Sequence, residues 1–202
     1  MSNTKTLLAL AAAVAVLLPT AASAADDAGN YFVRVRALYL QSSNTNQNDA
    51  VPLDLSINDK LLPEVDLGYF FTPNIATELV LTYPQKQTIS SGGVAIGSLK
   101  HLPPTLTVQY HFTGMSVRPY VGAGMNYTHF SDVQLPAGVS IKSNSFGLAA
   151  QAGLDIPLGG GWMLNADLKY VQIKTDVSAS GVKVDTFKVN PWLYGIGVGY
   201  RF

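Results

Sequence analysis

Between Tyr31 and Phe202, apolar and aromatic residues recur at every second position in eight segments of about ten residues, separated by turn-forming residues. A period of two means strands with two unlike faces. Tyr31, Val33, Val35, Ala37 and Tyr39 share one parity, as do Val65, Leu67, Tyr69 and Phe71, then Leu106, Val108, Tyr110 and Phe112. The last segment repeats the pattern with Trp192, Tyr194, Ile196, Val198, Tyr200 and Phe202. Short of the loop-facing ends, no charged side chain interrupts this face in any segment. A lysine or arginine facing lipid near the bilayer midplane costs roughly 2–4 kcal/mol, so a face kept clear of charge eight times over fits a wall in contact with lipid. After Asn30 no uninterrupted apolar run approaches the roughly 20 residues of a membrane helix, so an integral protein of this sequence must span with strands.

The segments lie near 31–41, 60–71, 75–84, 100–113, 117–129, 144–156, 162–174 and 188–202. Their connections alternate in length. Thr72-Pro73-Asn74, Gly114-Met115-Ser116 and 157–161 are short, whereas 42–59, 85–99, 130–143 and 175–187 are long. The sequence therefore predicts an all-β protein, an eight-stranded antiparallel transmembrane β-barrel with short periplasmic turns and long extracellular loops. Tyr39, Tyr83, Tyr127 and Tyr170 are expected to form an outer aromatic girdle, and Tyr31, Phe71, Phe112, Trp162 and Tyr200 an inner one.

The N-terminus gives the compartment. Lys5 precedes an apolar run from Leu7 to Leu18, followed by Pro19 and the small-residue site Ala22-Ser23-Ala24. This is the pattern of a secretory signal peptide, with residues 1–24 removed and the barrel formed by 25–202. Such a chain is exported through the periplasm to the outer membrane of a Gram-negative cell.

Absent residue types exclude several chemistries. There is no cysteine, which rules out disulfides and thiolate metal sites. Thirteen basic residues balance thirteen acidic ones, so no overall field points to nucleic acid. The three histidines, His101, His111 and His129, lack ligand spacing, and no metal or other cofactor is expected.

The inward parity carries Arg34, Arg36, Glu64, Asp66, Glu78, Arg118, Asp155, Asp167, Lys169 and Arg201. An eight-stranded barrel is only wide enough for side chains to fill, so these charges should pair across the lumen. Arg34, Arg36, Asp66, Glu78, Arg118, Asp167 and Lys169 are the predicted polar plug. Inward glycines at 122, 124, 147, 153, 195, 197 and 199 would leave room for the long charged chains. Toward the long loops the same parity turns apolar: Leu38, Leu40, Leu62, Val80, Val171 and Ile173, with Leu193, would line a hydrophobic cup. Such a lining suits a small apolar ligand, and it equally suits side chains that only pack on one another. Pro84 closes the third segment, and Pro103 and Pro104 sit near the start of the fourth. None of them offers an N–H to a ladder, so this seam is predicted to be a weak side exit from lumen to bilayer, or a bend in the wall.

Several ordered stretches carry a resemblance. Tyr69-Phe-Phe-Thr-Pro-Asn-Ile-Ala, Lys100-His-Leu-Pro-Pro-Thr-Leu, Arg118-Pro-Tyr-Val-Gly-Ala-Gly-Met-Asn-Tyr, Trp162-Met-Leu-Asn-Ala-Asp-Leu-Lys-Tyr170 and Gly195-Ile-Gly-Val-Gly-Tyr-Arg-Phe202 resemble OmpW family sequences over roughly residues 31–202. The resemblance implies an outer-membrane barrel that passively takes up small hydrophobic molecules and releases them laterally into the membrane, with outer-membrane lipids and lipopolysaccharide, the outer-membrane assembly machinery and small hydrophobic solutes as its expected partners. AlkL-type hydrocarbon importers belong to this family. Loops 42–59 and 130–143 carry no motif that would name a substrate.

Two other classes of function are open at this stage. One is a structural or surface-interaction barrel, receptor-like or contacting lipopolysaccharide, without transport. The other is a lipid-processing enzyme using His129 and Ser131, similar to PagL-type deacylases. That pair lacks an orienting acid, since Asp132 falls on the opposite parity, and no catalysis is expected.

Overall fold

The computed structural model describes residues 29–46 and 53–202. The proposed signal peptide and its cleavage site lie outside the described residues. Fifteen strands are present: β1 (Tyr31–Gln41), β2 (Thr45–Asn46), β3 (Leu55–Ile57), β4 (Lys60–Phe70), β5 (Ile75–Thr82), β6 (Gln85–Ser91), β7 (Val94–Leu102), β8 (Thr105–His111), β9 (Arg118–Gln134), β10 (Val139–Ile141), β11 (Asn144–Gly159), β12 (Trp162–Val171), β13 (Lys174–Ala179), β14 (Val182–Lys188) and β15 (Trp192–Arg201).

Eight of them close a barrel in the order β1-β4-β5-β8-β9-β11-β12-β15, and β15 pairs back onto β1. Every neighbouring pair in the wall is antiparallel. The register sets like parities side by side, as in Arg34 opposite Asp66 and Arg36 opposite Glu64 across β1 and β4. Closure leaves no open edge, the condition for strands in lipid. Along β1 exposed and buried residues alternate with the predicted phase, Val35 facing outward and Arg34 and Arg36 fully inward. Exposed Leu67, Val108, Met125, Leu148 and Ile196 make the exterior apolar over the height of the wall.

At the periplasmic end the aromatic belt is continuous. Tyr31 meets Tyr69 at 4.9 Å between ring centroids, Tyr69 meets Phe71 at 5.1 Å, and Trp162 meets Tyr200 at 5.0 Å. At the other end Tyr170 packs on Trp192 at 5.0 Å.

The long connections are themselves β-structure. β6 and β7 form a hairpin around Gly92 and Gly93, both at positive φ, and β13 and β14 form another around Ser180 and Gly181. β9 continues to Gln134, where its upper part pairs with β7, while β3 adds to β6. β10, β13, β14 and β2 make a second sheet of four strands. The barrel therefore rises well above the girdle of Tyr170 and Trp192.

Three predicted segments are divided, 188–202 among them, since Lys188 ends β14 and β15 begins at Trp192. The expected strand 100–113 is two strands, β7 and β8, because Pro103 and Pro104 supply no N–H between them. The expected strand 162–174 stops at Val171 and resumes as β13 at Lys174.

Candidate functional site

The midsection of the lumen holds an ion-pair network. From β1, Arg34 donates to Glu78 of β5 and, through Nη2, to Asp155 Oδ2 of β11 at 2.7 Å. Arg36, the next inward residue, meets four carboxylates. Its Nη1 lies 3.0 Å from Glu64 Oε1 and 3.3 Å from Asp167 Oδ1, and its Nη2 lies 2.9 Å from Asp66 Oδ2 and 3.0 Å from Glu78 Oε2. Lys169 of β12 joins Glu64 at 3.3 Å and Asp167 at 3.5 Å. Removing charges from water is costly unless each is paired and hydrogen-bonded, and here neutral side chains add further bonds. The Tyr120 hydroxyl donates to Asp167 Oδ2 at 2.8 Å, and Asn165 Nδ2 donates to Asp155 Oδ1 at 2.8 Å. The Arg34 guanidinium also sits 4.3 Å above the Phe32 ring.

The structure brings together six of the seven predicted plug residues. The seventh, Arg118, is half-buried at the periplasmic end of β9, where it faces Asp155, itself a carboxylate of the network, in the ladder. It lines a vestibule of about 390 Å³ at the mouth, with Arg201, His111, Phe70 and Trp162. Tyr120, Asn165 and Gln151 were missed because only charges were sought; the parity rule itself marks them as inward.

The expected role of the glycines holds in part. A Cβ on Gly195 would lie 3.1 Å from Arg36 Cδ, and one on Gly199 3.0 Å from Arg34 Cγ, so these two do clear space for the arginine stems. At Gly124, Gly147 and Gly197 a Cβ would meet a neighbouring carbonyl oxygen at about 2.0, 1.9 and 2.0 Å, so those glycines admit backbone rather than charged side chains.

Above the network the lumen turns apolar. Leu38, Leu40, Leu62, Val80, Val171, Ile173 and Leu193 are all buried and enclose one cavity, floored by Lys169. Its volume is about 20 Å³, room for roughly one water molecule. A second void of about 10 Å³ follows, between Leu40, Ile57, Leu99, Phe130, Phe187 and Val189. In this conformation the cup is closed by its own side chains. The upper half of this core comes from segments read as loops, and Ile57, Ile89, Leu99, Phe130, Val177 and Phe187 were not anticipated.

The side of the cup coincides with a break in the wall. β5 and β8 pair as far as Val80 opposite Thr105, and β6 and β7 resume with Gln85 opposite His101. Between these rungs Leu81 to Pro84 face Leu102 to Pro104 without a ladder pairing. Thr82, Gln85, His101, Pro103 and Thr105 all border the cavity, so the cup reaches this interruption from inside. Exposed Tyr83 stands outside it.

The histidines are accounted for locally. His111 shares a hydrogen bond of 2.8 Å with Gln109 Oε1 and stacks on Tyr120 at 4.9 Å. The ring nitrogen Nδ1 of His129 lies 2.8 Å from Asn144 Oδ1, and Asp132 is engaged by Lys100 at 2.7 Å, so neither assembles a triad with Ser131. Among the described residues no group of three His, Cys, Asp or Glu is arranged to hold a metal.

A closed barrel with a charged midsection, an apolar cup and a raised β-extension can be set beside known proteins. Residues 27–202 match the model of the OmpW family. The chain belongs to the OmpW family. This OmpW-family chain is 41% identical over 180 residues to the outer-membrane protein y4mB of Sinorhizobium fredii, described as uncharacterized, covering 84% of this chain and 79% of that one. Among solved structures it is similar to the outer membrane protein OprG from Pseudomonas aeruginosa, with a TM-score of 0.72 and 27% identity over 87% of this chain and 97% of OprG. The solid-state NMR structure of outer membrane protein AlkL in DMPC bilayers gives a TM-score of 0.68 at 28% identity, covering 92% of this chain and 96% of AlkL. The OmpW-family barrel described here is thus an outer-membrane protein in a lipid environment.

Proposed function

We propose that this barrel passively conducts small hydrophobic molecules from outside the cell and releases them sideways into the outer membrane. The observation that carries the reading is the meeting of three features at one place. A mainly apolar cup sits on a charged floor, and its side wall is the stretch between β5 and β8 where proline interrupts the ladder. The AlkL-like fold and the resemblance to hydrocarbon importers support it further.

Leu38, Leu40, Leu62, Val80, Val171 and Ile173 form the solute-facing wall in this reading. Arg34, Arg36, Asp66, Glu78, Asp167 and Lys169 block straight passage, because an apolar solute that entered the network would desolvate ionised groups without replacing their bonds. Arg118 guards the periplasmic mouth. The solute turns instead toward Pro84, Pro103 and Pro104, where few wall hydrogen bonds have to be broken. A cavity of about 20 Å³ admits no hydrocarbon, so passage requires a minor open state in which the cup side chains part. The aliphatic side chains that part have no hydrogen bonds to break, which keeps the cost of opening low.

The test is uptake of a labelled small hydrocarbon by cells lacking the protein, then supplied with the native chain or Leu62→Asp. Leu62 is buried in the cup, and a carboxylate there gives an apolar solute a charge to pass. Faster uptake that Leu62→Asp abolishes, with folded protein at equal levels, is the expected result. Equal uptake by the native chain and the empty strain, across several apolar solutes, would leave the structural or receptor-like barrel as the better reading.

A further inference from the structure

The chain is formally neutral, yet its charges are unevenly placed on the outer extension. On the sheet of β10, β13, β14 and β2, inward Val177 and Phe187 belong to the apolar core, so the alternate positions face outward. Lys174 and Lys188 lie directly opposite one another in the ladder on that outward face. Like charges in direct cross-strand register are destabilising, and among the described residues neither lysine forms an ion pair. Lys183 reaches the same face, where it meets Asp176 at 2.6 Å, and exposed Lys142 follows β10 beside the backbone of Asp176. Asp176 is the single acid described on this face. Hydrogen bonds from Lys183 and the Thr186 hydroxyl hold its carboxyl below the usual carboxylate range, so it is ionised and already engaged. The outward hydroxyls of Ser140, Ser178 and Thr186 lie among the lysines.

A contrasting pair shows what is unusual here. Lys86 and Lys100 also face each other across β6 and β7, but Asp132 stands against Lys100 at 2.7 Å. At Lys174 and Lys188 no such carboxylate stands among the described residues, which leaves the pair open to an anion from outside.

Position identifies the source of that anion. Tyr170 and Trp192 mark the outer membrane interface, and Lys174 and Lys188 each lie four residues beyond one of them, roughly 13 Å higher at about 3.3 Å per residue. Long lysine stems can reach back toward the bilayer surface. A patch at this height, fixed to the wall, faces lipid headgroups before any soluble polyanion.

We propose that the outward face of β10, β13, β14 and β2 docks the phosphate- and carboxylate-bearing headgroup of lipopolysaccharide in the outer leaflet, with Lys142, Lys174 and Lys188 as its cationic contacts. Docking relieves the repulsion between the two registered lysines and pins the β13–β14 hairpin over the rim. This does not depend on transport.

The test uses the full mature barrel in phosphatidylcholine nanodiscs, titrated with labelled, phosphorylated deep-rough lipopolysaccharide. The variants are Lys174→Gln with Lys188→Gln, and Asp176→Asn as a change in the opposite direction. A basic residue near an anionic membrane surface contributes about fivefold in affinity, so the double lysine variant should bind roughly 25-fold more weakly, and Asp176→Asn more tightly than the native chain. Binding should weaken with salt and with enzymatically dephosphorylated lipopolysaccharide. Both substitutions lie on an exposed face, and retained heat-modifiable gel mobility confirms the folded barrel. The proposal is overturned if the double variant binds within twofold of the native chain. It is equally overturned if millimolar inorganic phosphate displaces the lipid, which marks a site for free anions, or if duplex DNA binds as tightly as the lipid. Leu62→Asp should leave this binding unchanged, which separates a failure here from a failure of the transport reading.

Discussion

Replacing Arg36 with methionine is the sharpest test of the network across the lumen. The substitution keeps much of the aliphatic stem and removes one charge that lies within 3.3 Å of four carboxylates, Glu64, Asp66, Glu78 and Asp167, all of whose side chains are shut off from solvent. What remains is Arg34 and Lys169 against those four and Asp155. Breaking a buried pair by deleting one partner costs about 3–5 kcal/mol. A separate estimate gives the same size. If one carboxyl instead takes up a proton at pH 7, roughly three units above its ordinary pKa near 4, the cost is about 4 kcal/mol at 1.36 kcal/mol per unit. Arg36→Met should therefore lower barrel stability by about 3–5 kcal/mol. The measurement is urea unfolding in phosphatidylcholine vesicles, followed by the fluorescence of Trp162 and Trp192, which are the two tryptophans of the chain. Adding Glu64→Gln and Glu78→Gln to Arg36→Met should recover more than half of the loss, because the stranded charges are then gone. A cost below about 1 kcal/mol for Arg36→Met, typical of an exposed pair, would refute the reasoning and show that water solvates the midsection.

Two further outcomes are expected. Pro84→Ala with Pro103→Ala restores N–H groups at the break between the Val80–Thr105 and Gln85–His101 rungs; uptake of a labelled hydrocarbon should fall while stability holds or rises by about 1 kcal/mol per bond gained, and unchanged uptake would place the exit elsewhere. Gly68→Ala would set a Cβ 1.9 Å from Cζ of Phe32, a ring itself held by Phe70 and Arg34, so unfolding measurements should show a loss of about 1–3 kcal/mol that Phe32→Leu in the same chain largely relieves.

Alternation carried most of the fold, because in a lipid-spanning wall each residue has only two environments and one of them forbids charge. That is why β1 could be bounded at Tyr31 and Gln41, and why Leu38 and Leu62, which face each other in the register of β1 and β4, could both be placed in the cup. The same logic weakens above the girdle, where neither face meets lipid and polar residues are tolerated outward. Signals were still present there: Gly92-Gly93 and Ser180-Gly181 are hairpin turns, and Phe187 and Val189 alternate with polar neighbours as strand residues do. What the sequence could not supply was the long-range pairing of β9 with β7 and of β3 with β6, which depends on which edges remain free once the barrel has closed. That pairing decides the shape of the cup. His101 joins it because β7 stays paired with the upper part of β9 beyond the prolines and keeps that side chain on the inward parity it shares with His111. The prolines thus act in two ways at once: by ending the β5–β8 ladder they open a seam, and by dividing β7 from β8 they set off the β6–β7 hairpin that roofs the cavity behind it.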